Sequence, residues 1–351
     1  MDLIGAAGGI REEWDELADR AGAPPFLRPG WIEPWQEAFG SGRPAYAVLR
    51  GGGRLRALLA LQAARGALVG AANWHTPVYG ALSEDAGAAE ELIHGVVRRR
   101  AARLDLSMLD SADPGLAAAR AAAGAASARV IERTVARSPY VELSGSFDEF
   151  MAARDRKFRK DIGRRWRRLD EAEGAEAVFE DGTERLDELL ADGFRLEGSG
   201  WKIENGTAIV SDPRQQRFYR AVARWAAERG WLRLAFLRTR ERAIAFDLCI
   251  EAGGVHYVPK GGFDVDYRKH GPGQLLTHAG IRRAYERGLD SYELLGQQDE
   301  YKRQWTDSVR ARVRLQAFSR RPGGSASYLA WRYGRPLALR TLRGGEPGAE
   351  G

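Results

Sequence analysis

The chain has 351 residues, 44% of them hydrophobic, 29% charged and 9% aromatic, with a net charge of +6. At roughly 100–200 residues per domain this is about two domains of ordinary globular composition, which excludes a fibrous, collagen-like or wholly disordered chain. The single cysteine, Cys249, excludes an intramolecular disulfide and a thiolate zinc cluster, and it fits a reducing, cytoplasmic setting. The five histidines show no HExxH or other ligand spacing, so no metal is expected. The N-terminus turns charged at Arg11-Glu12-Glu13, unlike a secretory leader, and no apolar run approaches the roughly 20 residues needed to span a bilayer.

In chain order, a helical opening with Trp14 and Leu17 leads to an aromatic segment with Trp31 and Trp35 one turn apart. Two apolar runs, Tyr46 to Leu49 and Leu55 to Ala64, flank Gly51-Gly52-Gly53 and predict a hairpin. A helix from Asp85 to Arg103, a strand from Leu104 to Leu109, an alanine-rich helix from Pro114 to Ala126 and a strand over Arg129 to Leu143 follow. Ser144-Gly145-Ser146 is a polar, flexible boundary between two domains, 1–143 and 147–343, with 344–351 a disordered tail.

The second domain opens on a helix from Phe147 to Ala172. Between Arg154 and Arg168 it carries nine basic residues against two acids, Asp155 and Asp161, with Phe158, Ile162, Trp166 and Leu169 at core-facing spacing. Arginine forks such as those of Arg159 and Arg164 match phosphate oxygens, so the stripe suits RNA, a lipid headgroup or a nucleotide; a solvated helix face is the plainer alternative. Next come a strand at Ala177 to Glu180 and helices at Thr183 to Arg195 and Pro213 to Arg229. Three strands, Leu232 to Arg238, Ala243 to Ile250 and Val255 to Lys260, are separated by turns short enough for an antiparallel meander. Cys249 lies in the middle strand and reads as a buried thiol.

Arg268-Lys269-His270-Gly271-Pro272-Gly273 follows the meander and directly precedes a helix over Gln274 to Arg287. Glycines there let several backbone N–H groups face one concavity, and the helix N-terminus adds a partial positive charge, which together suit a pyrophosphate. A strand at Ser291 to Leu295 and a helix-like stretch through Trp305 complete the pattern.

The Arg-x-x-Gly-x-Gly loop resembles the coenzyme A pyrophosphate loop of the GNAT superfamily. More narrowly, the chain resembles the CelD/BcsL acyltransferases, relatives of the Fem aminoacyltransferases. The resemblance runs over about 147–320, through Lys157 to Arg165, Glu197-Gly198-Ser199-Gly200-Trp201-Lys202, Gly206 to Ile209, Gly262 to Tyr267 and Asp299 to Trp305. It implies an α/β (α+β) fold of tandem GNAT-like domains, each a mixed, mostly antiparallel sheet flanked by helices. The first, lacking the glycine loop, would be a degenerate copy that shapes the acceptor groove.

The roles that follow are implied by the resemblance. Arg268, Gly271, Gly273, Gln274 and Leu275 would hold the cofactor, acetyl-CoA or another acyl-CoA. Tyr301, beyond the last strand, would protonate the leaving thiolate, and Lys302 would offset charge at the reacting carbonyl. Glu197, Asp264 and Asp299 are the acids nearest the motifs and stand as general-base candidates. Trp201 and Lys202, with Arg159 and Arg164, would bind the substrate. The expected activity is N- or O-acyl transfer to a sugar, amino sugar or other small polar acceptor, in envelope or exopolysaccharide synthesis. The alternatives are a Fem-like transferase using aminoacyl-tRNA, and a binding protein that has lost its chemistry.

Overall fold

The computed structural model describes residues 1–99, 101–199 and 208–334. Its thirteen strands are β1 (Asp2–Ile4), β2 (Arg43–Gly51), β3 (Arg54–Ala64), β4 (Ala67–Gly70), β5 (Leu82–Ser83), β6 (Arg103–Asp110), β7 (Arg129–Glu142), β8 (Glu176–Glu180), β9 (Leu232–Arg238), β10 (Ala243–Ala252), β11 (Val255–Phe263), β12 (Ser291–Glu293) and β13 (Val309–Phe318). They form one continuous path in the order β1-β2-β3-β4-β6-β13-β7-β12-β11-β10-β9-β8, with β5 paired to β3. The helices are α1 (Arg11–Arg20), α2 (Pro29–Phe39), α3 (Ala86–Arg98), α4 (Pro114–Ala125), α5 (Phe147–Ala152), α6 (Arg156–Glu173), α7 (Leu186–Glu197), α8 (Pro213–Glu228), α9 (Pro272–Glu286), α10 (Glu300–Arg303) and α11 (Pro322–Leu329).

The two halves repeat one plan. In the first, the antiparallel run β2-β3-β4 is followed by α3 and by β6, which lies parallel to β4. In the second, β9-β10-β11 is followed by α9 and by β12, parallel to β11. The predicted hairpin is β2–β3, and its turn needs glycine because Gly52 and Gly53 both take positive φ, 59° and 78°.

Two long strands stitch the halves together. β7 pairs along most of its length with β13 and then, through Tyr140, Val141 and Glu142, with β12. β13, close to the described C-terminal end, inserts between β6 and β7 and so completes the first half's sheet from the second half's sequence.

The core between the halves is aromatic. Trp31 meets Phe218 edge-on at 5.3 Å and Phe26 meets Tyr257 at 5.1 Å, pairs worth about 0.5–1.5 kcal/mol each beyond their buried area. α2 can approach α8 this closely because residue 30 is glycine; a Cβ there would run into the Trp225 indole.

The predicted basic helix is two helices. α5 ends at Ala152, and α6 starts afresh where the Asp155 carboxylate accepts from the N–H groups of Lys157 and Phe158 at 2.8 and 2.9 Å. Phe158, Ile162 and Leu169 on α6 are buried, and Phe158 packs edge-on to Trp305 at 4.8 Å, so the basic residues are left on the outer side.

Candidate functional site

The site is built where β11 and β12 part. They pair in parallel only from Val255↔Ser291 to Tyr257↔Glu293, and β11 then runs on to Phe263 while β12 has ended. The divergence has a local cause. Leu248 faces Lys260 but Ile250 faces Tyr257, so β11 carries an extra residue around Val258-Pro259, where proline has no N–H to give the ladder. Beyond this bulge come two glycines that packing demands. A Cβ at Gly261 would strike the Asp247 carboxylate across the strand pair, and one at Gly262 would strike the backbone of α7 at Glu197.

The strand leads into a pinned loop. Asp264 caps a short 3-10 turn by accepting from the Asp266 N–H and lies 3.1 Å from the Arg242 guanidinium. The Tyr267 hydroxyl donates to Glu173 of α6 at 2.7 Å, and the Val265 N–H donates to Ser199 Oγ at 3.1 Å. Gly271 then takes the left-handed conformation, φ 63°, as the residue before α9, and Pro272 occupies the first helical position, where a missing N–H costs nothing. The N–H groups of Gly273 and Gln274 follow in the first turn, where a helix has no carbonyl of its own to offer. A Cβ at Gly273 would meet only Phe263, at an ordinary 3.6 Å.

The basic helix lies over this loop. Arg165 reaches Gly271 so closely that any side chain there would displace its guanidinium, and its Nε bonds Asp161 at 2.6 Å. Between α6, the start of α9 and α10 lies a cavity of ≈ 1880 Å³. Arg154, Arg156, Lys157, Lys160, Arg164, Arg165, Arg167 and Arg303 line it, against Asp155, Asp161 and Asp307. The basic stripe and the first turn of α9, through Gln274, thus line one positively charged recess, and Arg165 links it to the glycine loop at Gly271.

Tyr301 stands at the N-terminal end of α10, 44% exposed. Desolvation, and after it the nearby carboxylates of Asp247 and Asp299, raise its pKa, so the phenol keeps its proton at neutral pH. Asp247 is the site residue that the sequence reading missed. Its signal was one carboxylate inside the otherwise apolar run Ala243 to Ile250.

The other expected residues fall in different places. Gln274 lines the cavity, but its amide is a clamp: it donates to Gln304 Oε1 at 2.7 Å and accepts from Trp305 Nε1 at 2.6 Å, which holds α10 against α9. Leu275 has its side chain buried in the core and its N–H bonded to Gly271 O at 3.1 Å. The Lys302 ammonium donates to Leu295 O at 2.8 Å and Gln297 O at 3.1 Å, bracing a loop in which Leu295 and Gly296 have positive φ. Arg268 and Arg159 are exposed, and Arg159 is not on the cavity wall; Arg164 is, and pairs with Asp161.

Glu197 lies fully buried on the far side of Gly262. It accepts from the Ile209 N–H at 2.8 Å and stands 3.5 Å from Lys260 Nζ. Trp201 and Lys202 lie outside the described residues. Cys249 is buried, and burial pushes its thiol pKa up, so it is an inert core residue. Among the described residues no cluster of three or more His, Cys, Asp or Glu could hold a metal, and no helix is long and apolar enough to cross a membrane.

Residues 156–303 match the family described as Acetyltransferase (GNAT) domain. No curated protein matches the sequence. Among solved structures, FemX superposes with a TM-score of 0.58 at 10% identity, over 92% of this chain and 98% of that one. L-PGS from Bacillus licheniformis gives 0.55 at 13% identity over 92% and 96%, and a conserved protein of unknown function from Bacteroides thetaiotaomicron gives 0.54 at 11% over 91% and 99%. At such identities the likeness is one of fold, and it extends over both halves. The strand divergence, the glycine loop and the family match together define the class, an acyltransferase. The match to the GNAT domain covers residues 156–303, within a two-part fold shared with FemX.

Proposed function

We propose that the protein is an acyl-CoA-dependent N- or O-acyltransferase acting on a saccharide or another small polar acceptor. In this reading the half from residue 147 holds the donor and residues 1–143 shape the acceptor side. The observation that carries it is a left-handed Gly271 and the N-terminus of α9 at the end of β11 where it has parted from β12, with the Tyr301 carbonyl accepting from the Gln274 amide of that first turn at 3.4 Å.

The donor's pyrophosphate would lie against the Gly273 and Gln274 N–H groups, with Arg165 above. Its thioester would then enter the gap past the bulge, beside Gly261 and Gly262. Attack by the acceptor nitrogen or oxygen forms the new C–N or C–O bond and breaks the C–S bond, and the phenol of Tyr301 gives its proton to the departing thiolate. A general base takes the acceptor's proton, and Glu197, behind Gly262 where α7 meets β11, is the carboxylate we propose for it. Asp264 and Lys302 act by holding the loops on either side.

The test is thiol release from acetyl-CoA in the presence of glucosamine or a related amino sugar. Tyr301→Phe should lower turnover about 10²-fold with an unchanged KM for the donor; full activity in that variant would remove Tyr301 from the mechanism.

A second reading, transfer from aminoacyl-tRNA, is favoured by the breadth of the basic recess, which exceeds what one pyrophosphate needs. It predicts binding of RNA in place of acyl-CoA.

A further inference from the structure

The first half repeats the strand divergence of the second and holds a cavity of its own. β4 and β6 run parallel only from Ala67↔Arg103 to Val69↔Asp105 and then separate. Just beyond, Met108 takes a left-handed φ of 62°, as Leu295 takes 52° after β12. Tyr79 fills part of the gap, its hydroxyl donating to Ala60 O at 2.5 Å. Beside it remains a cavity of ≈ 520 Å³, walled by Trp74, Asn73, Asp105, Ser107, Arg133 and Arg314 among others.

Trp74 is 63% exposed, yet its loop is firmly tied. Asn73 Oδ1 accepts from Trp35 Nε1 and from the His75 N–H, both at 2.8 Å, and Trp31 Nε1 donates to Thr76 Oγ1 at 3.2 Å. The indole is therefore held in water by rigid structure on both sides of it in sequence, at the edge of a cavity, which is how a binding surface differs from a stray exposed side chain. On the cavity wall, Asp105 takes both arms of the Arg314 fork at 2.7 Å and fixes its plane. The loop that carries Trp74 is tied to the second half. His75 bonds the Tyr219 hydroxyl at 2.9 Å, and Lys260 Nζ of β11 lies 5.6 Å from the Tyr219 ring.

An indole face accepts the C–H face of a pyranose, and a guanidinium beside it accepts a carboxylate or phosphate. We propose that this cavity is the acceptor subsite and that the acceptor is an acidic saccharide, with Trp74 as the stacking surface and the positive charge of Arg133 and Arg314, in excess of that of Asp105, as what attracts its acid. The inference rests on the acyltransferase reading, which gives the saccharide its part in a reaction.

The test is saturation-transfer NMR on the full chain with glucuronate, glucose 1-phosphate and glucose as probes. Transfer to the two acidic sugars should exceed that to glucose at least fivefold. It should fall at least fivefold in Trp74→Ala, whose exposed side chain is not needed for folding, and recover in part in Trp74→Phe. Equal transfer to glucose, equal transfer in wild type and Trp74→Ala, or no transfer to any probe would overturn the subsite. Acetyl-CoA titrated into the same samples separates the two readings: sugar binding without acetyl-CoA binding removes the donor assignment and leaves the subsite standing.

Discussion

Asp247 and Gly261 are direct partners across β10 and β11, and the carboxylate occupies the space that a side chain at 261 would need. The same carboxylate acts on Tyr301, so one residue fixes both the close approach of the strands and the charge around the proposed acid. Gly261→Ala should cost about 1–3 kcal/mol through overpacking. Because the collision is with Asp247, the double variant with Asp247→Ala should recover most of that loss. A thermodynamic cycle by urea unfolding measures the coupling, and strictly additive losses would contradict the geometry.

Gly271 is constrained twice, by its left-handed backbone and by the Arg165 guanidinium above it. Gly271→Ala should destabilise the protein by about 1–2 kcal/mol, and Gly271→Asn by less at the backbone, since asparagine tolerates this conformation. Thermal unfolding of both variants tests the ranking.

Lys302 supports the site through the main chain. Replacing it with methionine leaves Leu295 O and Gln297 O without their charged donor, and the expected loss is about 2–3 kcal/mol of stability. Lys302→Met should therefore lower the unfolding midpoint, whereas a purely electrostatic role at the carbonyl would lower turnover and leave stability unchanged.

Acid should weaken the join between the halves. Burial, and then the charge of Lys260, lower the His75 pKa to about 4. Between about 6.5 and 4 the unfolded chain therefore binds a proton at this position that the folded chain does not. Stability is full above about 6.5 and falls with decreasing pH down to about 4, by an amount on the order of 3 kcal/mol for this residue. His278, lowered to about 4 chiefly by its burial, adds in the same direction. In His75→Phe the loss of stability between pH 7 and pH 4.5 should shrink; an unchanged pH dependence would show that His75 is not the group responsible.

Much of this was legible in the sequence for identifiable reasons. Gly52-Gly53 announced a hairpin, Pro272 and the glycines around it announced a helix start, and apolar spacing picked out Phe158, Ile162 and Leu169 as the buried side of α6. The break at Asp155 was missed because the basic run continues across it, and only the cap shows that a new helix begins. β13 was missed for a different reason. Its partners β6 and β7 lie far earlier in the chain, and pairing over such distances leaves no local signature. The main-chain contacts of Lys302 were not legible, because an aromatic-lysine pair looks alike whether the ammonium faces a substrate or its own main chain. Trp74 could not be singled out, since its exposure depends on a loop held by Trp31 and Trp35 of α2 and by Tyr219 of α8, two helices far apart in the chain.

The central claim is that the loop at Gly271–Gly273 holds the phosphates of an acyl-CoA. Calorimetric titration of acetyl-CoA into the full chain, with Gly273→Trp as control, tests it most directly, because the structure leaves room for the first atoms of a side chain at 273 and an indole there would cover the first turn of α9. Micromolar binding by the wild type, weakened at least 100-fold in Gly273→Trp, is the predicted result. No binding by the wild type, or equal binding by both proteins, would contradict it.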